Sequence, residues 1–284
     1  MPFHPQALHQ CGPAALATVL GASGLEADPQ ALAERVYVPG RRGSFQAELI
    51  AATRHAGRIP YVIDGTLEAL AAEVAAGRPV LVLQNLALPR LPRWHYAVVI
   101  GVDARRVTLR SGRRATLRLS HRSFLRSWAW AQRWGFVTLR PGEWPAQPET
   151  RRWLSTMSDL EQVGQREIAA SGYDAAVLRW STQPLAWFAL GNARYRSGRL
   201  PEARAAFERS TALDPGFAAG WNNLAQVLGE LGCGESALEA VQRGRSVADT
   251  TQQRVLESTE RALASNAQPA SSTASACSRA SGSP

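Results

Sequence analysis

An internal repeat of 34 residues in the second half of the chain most constrains its fold. Shifting the sequence by 34 positions places Trp221 on Trp187 and Ala237 on Ala203. Other large or small residues match in the same shift: Leu224 on Leu190, Gly232 on Gly198 and Val241 on Phe207. Small residues let two antiparallel helices approach, and large ones fill the space between them. The period therefore predicts stacked helix pairs, each of which needs its neighbours to bury its apolar face.

This pattern resembles the tetratricopeptide repeat. Further positions of that repeat are occupied by Gly191, Tyr195 and Pro215. A shift of 34 towards the N-terminus reaches Trp153, Ala169 and Tyr173, which indicates a degenerate first unit. About three units are needed for a stable solenoid. We therefore expect an all-α solenoid over residues 151–262 that docks a protein partner, or the substrate, on its concave face.

Composition divides the rest of the chain. Residues 1–140 mix helix and strand patterns. Residues 141–150 are expected to be a linker, because their prolines are incompatible with regular structure. Residues 263–284 are rich in Ser, Ala, Gly and Pro, which bury too little apolar surface to fold. We expect this tail to be disordered.

Helix patterns precede strand patterns within residues 1–140, which indicates an α+β domain. The first helix begins at Cys11, and Asp28, Ser44, Thr66 and Ser120 are the expected caps of four others. Strands are expected at residues 59–63, 79–84, 96–102, 106–110, 115–119 and 136–139.

Cys11 stands where the first helix begins, in the run Gln6-Ala-Leu-His-Gln10-Cys11-Gly12-Pro. A cysteine at this position meets unpaired backbone N–H groups and the positive end of the helix dipole. Both favour thiolate, so we expect its pKa to lie below the usual value of about 8.5. Gly12 leaves room for a substrate backbone beside the sulfur, and a nearby glutamine could donate to an oxyanion.

A general base for Cys11 must come from elsewhere in the chain. His95 stands at the head of an apolar strand, in the run Trp94-His-Tyr-Ala-Val-Val-Ile-Gly101. A histidine there can face a helix N-terminus across a cleft. In a Cys–His pair the imidazole takes the thiol proton and later gives it to the leaving amine.

These two motifs together resemble the C39-like cysteine peptidases, which have a papain-like α+β fold. The resemblance covers roughly residues 2–140 and is strongest to a bacterial subgroup in which such a domain precedes tetratricopeptide repeats. It implies Cys11 as nucleophile, His95 as base and Gln6 as oxyanion donor, with Gln10 the less favoured donor. Members that cleave leader peptides after Gly-Gly are domains of export transporters. The chain has neither a phosphate-binding loop for ATP nor membrane spans, so that role is not implied.

The chain departs from the family pattern at the third catalytic position. Members usually carry an Asp on the strand after the histidine, at the position that Ser111 occupies here. Asp103 is the nearest acidic residue, but it is expected in the turn after the His95 strand. Ser111 or Asp103 is therefore the candidate for orienting the imidazole. A dyad still works as a catalyst, because the third member chiefly orients the base and stabilises its charge.

Three functions follow from these motifs. The first is hydrolysis of peptide or amide bonds by the Cys11 thiolate and His95. The second is an interaction scaffold whose peptidase fold turns over weakly or not at all, which the serine at position 111 motivates. The third is acyl transfer, since the same dyad serves both reactions.

The basic residues indicate which chemistry the chain excludes and which partners its charge could attract. All 32 of them are arginines, which excludes Schiff-base lysines and Ser–Lys catalysis. Residues 1–140 hold 18 Arg against 8 acidic residues, a net charge of +10. Such a charge attracts nucleic acid, anionic lipid or acidic peptide, or it is simply a solvated surface. No nucleic-acid motif accompanies it, so no nucleic acid is expected.

The remaining cysteines predict neither a disulfide framework nor a metal site. Cys233 is expected to be structural and Cys277 incidental. No Cys or His spacing fits zinc, and no cofactor is expected. No run of eighteen apolar residues predicts a transmembrane segment. Without a signal peptide the chain is cytoplasmic as written, or periplasmic or membrane-anchored if an upstream signal is missing.

Overall fold

The structure is a computed structural model that describes residues 3–5, 10–41, 43–265 and 277. These residues form two compact units that divide between Ser171 and Gly172. The predicted succession of a sheet-containing region and a helical repeat region is confirmed. Most of the predicted disordered tail, residues 266–276 and 278–284, lies outside the described residues, and residues 263–265 belong to the last helix.

Six α-helices lie entirely within the described residues of the first unit. They are α1 (Cys11–Ala22), α2 (Pro29–Val36), α3 (Gln46–His55), α4 (Leu67–Ala75), α5 (His121–Ala129) and α6 (Thr150–Gln162). Three of the predicted caps are confirmed. The side chain of Asp28 accepts from the N–H groups of residues 30 and 31, and Thr66 and Ser120 each accept from the N–H group three residues on. Each cap satisfies backbone donors that the first turn of a helix leaves unpaired.

The expected cap at Ser44 is wrong. Phe45 occupies the N-cap position of α3 and makes no side-chain cap hydrogen bond. The Tyr96 hydroxyl donates to the Ser44 carbonyl over 3.1 Å, which holds Ser44 against the start of α1. A Cβ atom on Gly12 would lie 2.7 Å from the Ser44 Oγ, so this approach requires a glycine.

A six-stranded antiparallel sheet forms the centre of the first unit. Its strands are β1 (Ile59–Val62), β2 (Val80–Asn85), β3 (Trp94–Val102), β4 (Arg106–Ser111), β5 (Arg114–Ser120) and β6 (Gly135–Leu139). Their order across the sheet is β1-β6-β2-β3-β4-β5. The last strand thus returns to the middle, between β1 and β2. The predicted strands are confirmed within one or two residues of their ends.

Helix α1 packs against this sheet and is buried on almost every side. All residues from Gly12 to Leu20 are buried. Leu16 and Leu20 join Val98 of β3 and Phe136 of β6 in one apolar cluster. A helix that is apolar all round has to be buried in this way. The start of α1 is thereby fixed beside the first residues of β3.

The segment that was expected to be a linker forms neither helix nor strand over residues 141–149. It is nonetheless held to the first unit. The Trp144 ring stacks on Trp153 of α6 with ring centroids 4.1 Å apart, and the N–H group of Ala146 donates to the Glu73 carboxylate over 2.7 Å. The domain boundaries at residues 140 and 150 stay predictions.

The remaining helices repeat at the predicted period. They are α7 (Arg166–Arg179), which spans the division between the units, α8 (Pro184–Arg196), α9 (Leu200–Leu213), α10 (Ala218–Glu230), α11 (Gly234–Val247) and α12 (Thr250–Ser265). The starts of α6, α8 and α10 are 34 residues apart, as are those of α7, α9 and α11. A Cβ atom on Gly191 would lie 2.5 Å from the Phe207 ring, so the small residue does let α8 and α9 approach.

The expectation that Cys277 is incidental is wrong. Cys233, in the turn between α10 and α11, forms a disulfide with Cys277 across 44 residues of sequence. The thiol pairing could not be read from the sequence, because Cys277 lies in a Ser/Ala-rich segment without any pattern. Among the residues that the structure describes, no helix combines the length and apolar character needed to cross a membrane.

Candidate active site

The sulfur of Cys11 lies at the N-terminal end of α1. Gln10 occupies the N-cap position there and makes no side-chain cap hydrogen bond. Backbone N–H groups of Tyr96, Gly12 and Cys11 itself act on the sulfur and lower the pKa of the thiol. The helix start therefore supplies the donors that the sequence predicts, and β3 supplies one more.

The pKa of the Cys11 thiol is nevertheless raised, whereas the sequence predicts that it is lowered. Burial raises the pKa of Cys11 above its ordinary value of 9.0 and outweighs the three N–H groups that lower it. The expectation of a lowered pKa is wrong because the side chain packs against the apolar cluster under α1, where a charged sulfur is poorly solvated. Cys11 is consequently a neutral thiol at neutral pH.

His95 is the second residue of β3, and its ring is half-buried. Its Nε2 atom lies 2.8 Å from the Ser111 Oγ, at the end of β4. Burial, and next the positive charge of Arg93, lower the pKa of His95 from 6.5 to about 4. The imidazole is therefore neutral at neutral pH, and its resting partner is a neutral hydroxyl.

The structure brings the Cys11 and His95 segments together through Tyr96. Tyr96 directly follows His95, and its backbone N–H acts on the Cys11 sulfur. A Cβ atom on Gly12 would also lie 3.5 Å from the Tyr96 ring. The start of α1 and the start of β3 are thus in contact.

The other predicted site residues have different positions. Asp103 lies in the exposed turn between β3 and β4, where its carboxylate accepts from the N–H groups of Arg105 and Arg106 over 2.8 and 2.9 Å. These bonds lower the pKa of Asp103. Of the two orienting candidates, Ser111 is the one in contact with His95. Gln6 lies outside the described residues.

Two polar side chains near the site, those of Ser44 and Glu48, were not predicted from the sequence to belong to it. The Ser44 Oγ and one carboxylate oxygen of Glu48 are buried, and each lacks a hydrogen-bond partner among the described residues. Burial, followed by the charges of Cys11 and Glu48, raises the pKa of Tyr96. Ser44 and Glu48 carried no signal of their own, because serine before a helix and glutamate in its first turn are ordinary helix-start residues.

An open cavity of the first unit lies away from these residues. It has a volume of about 420 Å³ and is lined by residues of α3, β1 and α6, among them Arg54, Val62, Arg152 and Asp159. None of the predicted site residues lines it. Within the described ranges, no three His, Cys, Asp or Glu side chains come together in a group that could hold a metal ion.

Comparison with known proteins identifies one repeat by its family. Residues 184–217, which contain α8 and α9, match the family model described as Tetratricopeptide repeat. A search of curated proteins finds no match. The fold and this match define a chain with a sheet-containing unit and a tetratricopeptide-type helical region. Such repeats indicate protein–protein interaction.

Several solved structures are distantly similar to part of the chain. A protein assigned as a C39-like peptidase, from Bacillus anthracis, is 18% identical over 50% of this chain and 96% of its own, with a TM-score of 0.42. The Yersinia enterocolitica type III secretion chaperone SycD, in complex with a peptide of the translocator YopD, is 15% identical over 42% of this chain and 94% of its own, with a TM-score of 0.38. The Sgt2 TPR domain from Aspergillus fumigatus is 21% identical over 44% and 87%, with a TM-score of 0.38.

Proposed function

We propose that the chain is a papain-like cysteine peptidase of the C39-like type, whose repeats dock a protein partner or the substrate. Cys11 is the nucleophile and His95 the base. The observation that carries the proposal is the contact between the Tyr96 N–H and the Cys11 sulfur, because it places the thiol beside the residue that follows His95. The proposed layout is a peptidase domain over residues 1–140, a linker over 141–150 and repeats over 151–262.

The hydrogen bond to Ser111 suggests how His95 works as a base. In the proposed reaction the Nε2–H group donates to the Ser111 Oγ, which leaves the Nδ1 lone pair free to accept the Cys11 proton. The sulfur bonds to the substrate carbonyl carbon as this proton moves to Nδ1. The C–N bond then breaks, and the proton passes to the leaving amine. Water hydrolyses the thioester, with His95 taking the water proton and returning it to the sulfur.

Backbone groups at the start of α1 support the oxyanion of this reaction. The N–H groups of Cys11 and Gly12 act on the sulfur in the resting chain. In the proposed reaction they are close enough to donate instead to the substrate carbonyl oxygen, where the negative charge of the tetrahedral intermediate develops. Gln6 stays the predicted side-chain donor, five positions before the nucleophile. Both resting groups are neutral, so in this proposal the proton transfer accompanies attack on the substrate.

A degenerate peptide library read by mass spectrometry tests the proposal. The wild-type chain should cleave peptides, Cys11→Ala should abolish cleavage, and His95→Ala should slow it on the order of 100-fold or more. Cys233→Ser controls for the loss of a cysteine outside the proposed site; because it also breaks the disulfide to Cys277, circular dichroism checks that it is folded, and its cleavage should be unchanged. Unchanged cleavage by Cys11→Ala would refute the mechanism. Added amines would reveal acyl transfer as amide products in place of acids.

One observation favours a second candidate, an interaction scaffold with little or no turnover. The described hydrogen-bond partner of His95 is a serine, and the pKa of His95 lies near 4, so an imidazolium is poorly stabilised. A peptide-like electrophile separates the two candidates. A peptidase reacts with it much faster in the wild-type chain than in His95→Ala, whereas a scaffold reacts equally slowly in both.

A further inference from the structure

The loop between β2 and β3 carries an unusual concentration of exposed apolar side chains. We call residues 86–94 the hairpin tip. Five large apolar side chains of the first unit are exposed among its described residues, and four belong to the hairpin tip. Leu88 and Leu91 are 64% and 75% exposed, and Leu86 and Trp94 are about half exposed. Single exposed leucines are ordinary, but a cluster of this kind marks an interaction surface.

The hairpin tip is ordered by its own hydrogen bonds. The buried Asn85 side chain accepts from the N–H groups of Ala87 and Arg93 over 3.1 and 2.9 Å. Leu88 and Leu91 form an antiparallel bridge across the loop. The leucines are therefore held outwards in a fixed arrangement before any partner arrives, which lowers the entropic cost of binding.

The charged side chains of the hairpin tip and of its neighbours along the chain are all positive. Arg90 and Arg93 are exposed within it, and no acidic residue occurs between Glu73 and Asp103. Residues 1–140 as a whole carry a net charge of +10. The partner of this surface is therefore expected to be anionic as well as apolar.

We propose that the hairpin tip is a membrane-surface anchor that inserts Leu88 and Leu91 into an anionic lipid leaflet. Arg90 and Arg93 pair with lipid phosphates, and Trp94 lies at the headgroup level, where tryptophan is enriched. A lipid surface deforms around a protruding tip, whereas a protein would need a matching pocket. Pro89 and Pro92 lack N–H groups, so the tip is a poor template for a peptide strand.

This proposal stands apart from the proposed peptidase reaction, although it affects where that reaction would occur. His95 follows the hairpin tip directly. At about 3.3 Å per residue, it lies roughly 13 Å along the chain from Leu91. An inserted tip would hold the start of β3 close to the lipid surface.

Flotation of the full chain with vesicles tests the anchor. Vesicles of phosphatidylcholine with phosphatidylglycerol added to about one third should bind the wild-type chain, and pure phosphatidylcholine should bind it weakly. Leu88→Ser/Leu91→Ser should weaken binding by more than tenfold, since each buried leucine is worth on the order of a tenfold change. Leu178→Ser, which removes an 84% exposed leucine from α7, is the matched control and should bind unchanged.

Two further arms identify the contact. Arg90→Gln/Arg93→Gln should lose more binding than Arg113→Gln/Arg114→Gln, which removes two exposed charges from the start of β5 and the turn before it. An environment-sensitive dye attached to Leu88→Cys, in a chain that also carries Cys11→Ser, should show a blue-shifted emission when anionic vesicles are added.

The anchor would be overturned if the wild-type chain did not bind the vesicles, or if the leucine variant bound them equally well. A hairpin tip that captures a protein but no vesicle would be a protein-docking surface, which would also overturn it. Because binding is measured without turnover, a failed peptidase proposal leaves the result intact.

Discussion

The imidazole of His95 is hydrogen-bonded to the hydroxyl of Ser111, with 2.8 Å between Nε2 and Oγ. A serine hydroxyl can fix the orientation of the ring, but it brings no negative charge to stabilise an imidazolium. Burial and the Arg93 charge are then unopposed, and they hold the pKa of His95 near 4. The half-buried thiol of Cys11 has a raised pKa at the same time. The resting pair is therefore neutral on both sides.

A carboxylate at position 111 should favour the charged form of both His95 and Cys11. In Ser111→Asp the negative charge beside Nε2 favours the protonated ring, so the pKa of His95 should rise by about 1–3 pH units. Cys11 should then react faster with iodoacetamide at neutral pH, because an imidazolium beside it favours thiolate. NMR titration of the His95 ring and the rate of alkylation measure the two effects. Ser111→Asn, which is polar but uncharged, should change neither, and an unmoved His95 pKa in folded Ser111→Asp would contradict the electrostatic explanation.

The lowered pKa of His95 predicts loss of stability in acid. Between pH 6.5 and about 4 the unfolded chain binds a proton at His95 that the folded chain does not, so stability falls as the pH falls through this window. A pKa of about 4 in place of 6.5 corresponds to at most roughly 3 kcal/mol, since part of the ring is exposed. The free energy of unfolding of the wild-type chain and of His95→Gln should be measured by urea denaturation at several pH values. The difference between the two free energies of unfolding at each pH gives the contribution of His95. If the two free energies change with pH in the same way, the pKa of His95 is not lowered.

The close approach of Ser44 to Gly12 gives a steric prediction. In Gly12→Ala the new Cβ would lie 2.7 Å from the Ser44 Oγ and 2.9 Å from its Cβ, so one of the two segments must shift. We expect a loss of about 1–3 kcal/mol in the free energy of unfolding, which is typical of overpacking. The double variant Gly12→Ala/Ser44→Gly should recover part of it, because the clashing side chain is gone. A double-mutant cycle measures the coupling, and a purely additive result would mean that the two residues are not in contact.

Local patterns predicted the helices and strands well. Asp28, Thr66 and Ser120 act as caps because each side chain satisfies N–H groups of its own helix, and this depends on a few neighbouring residues only. Ser44 has the same local sequence character, but the Tyr96 hydroxyl, from a distant strand, holds it elsewhere. A long-range contact of this kind leaves no trace in a local pattern.

The electrostatics of the predicted site residues could not be read from the sequence. The helix start at Cys11 favours thiolate in isolation, and its N–H groups do act on the sulfur. The depth of burial that reverses the outcome depends on how α1 packs against the sheet, which the sequence around Cys11 does not specify. Asp103 shows the same limitation, since its turn geometry directs the carboxylate to the N–H groups of Arg105 and Arg106.

The disulfide between Cys233 and Cys277 predicts a redox-dependent stability of the helical region. When the chain is purified without reductant, denatured and alkylated, one thiol should react, that of Cys11, and after reduction all three should. Closing a loop of this length removes conformational freedom from the unfolded chain, so Cys277→Ser should lower the free energy of unfolding by up to about 4 kcal/mol. Cys11→Ser is the control and should leave the reductant dependence intact. Thermal unfolding with and without dithiothreitol measures the effect, and three reactive thiols in the unreduced chain would show that the bond does not form.

The same disulfide bears on the compartment of the protein. A reducing cytosol would keep both cysteines as thiols, so a disulfide in protein isolated from cells would indicate an oxidising compartment.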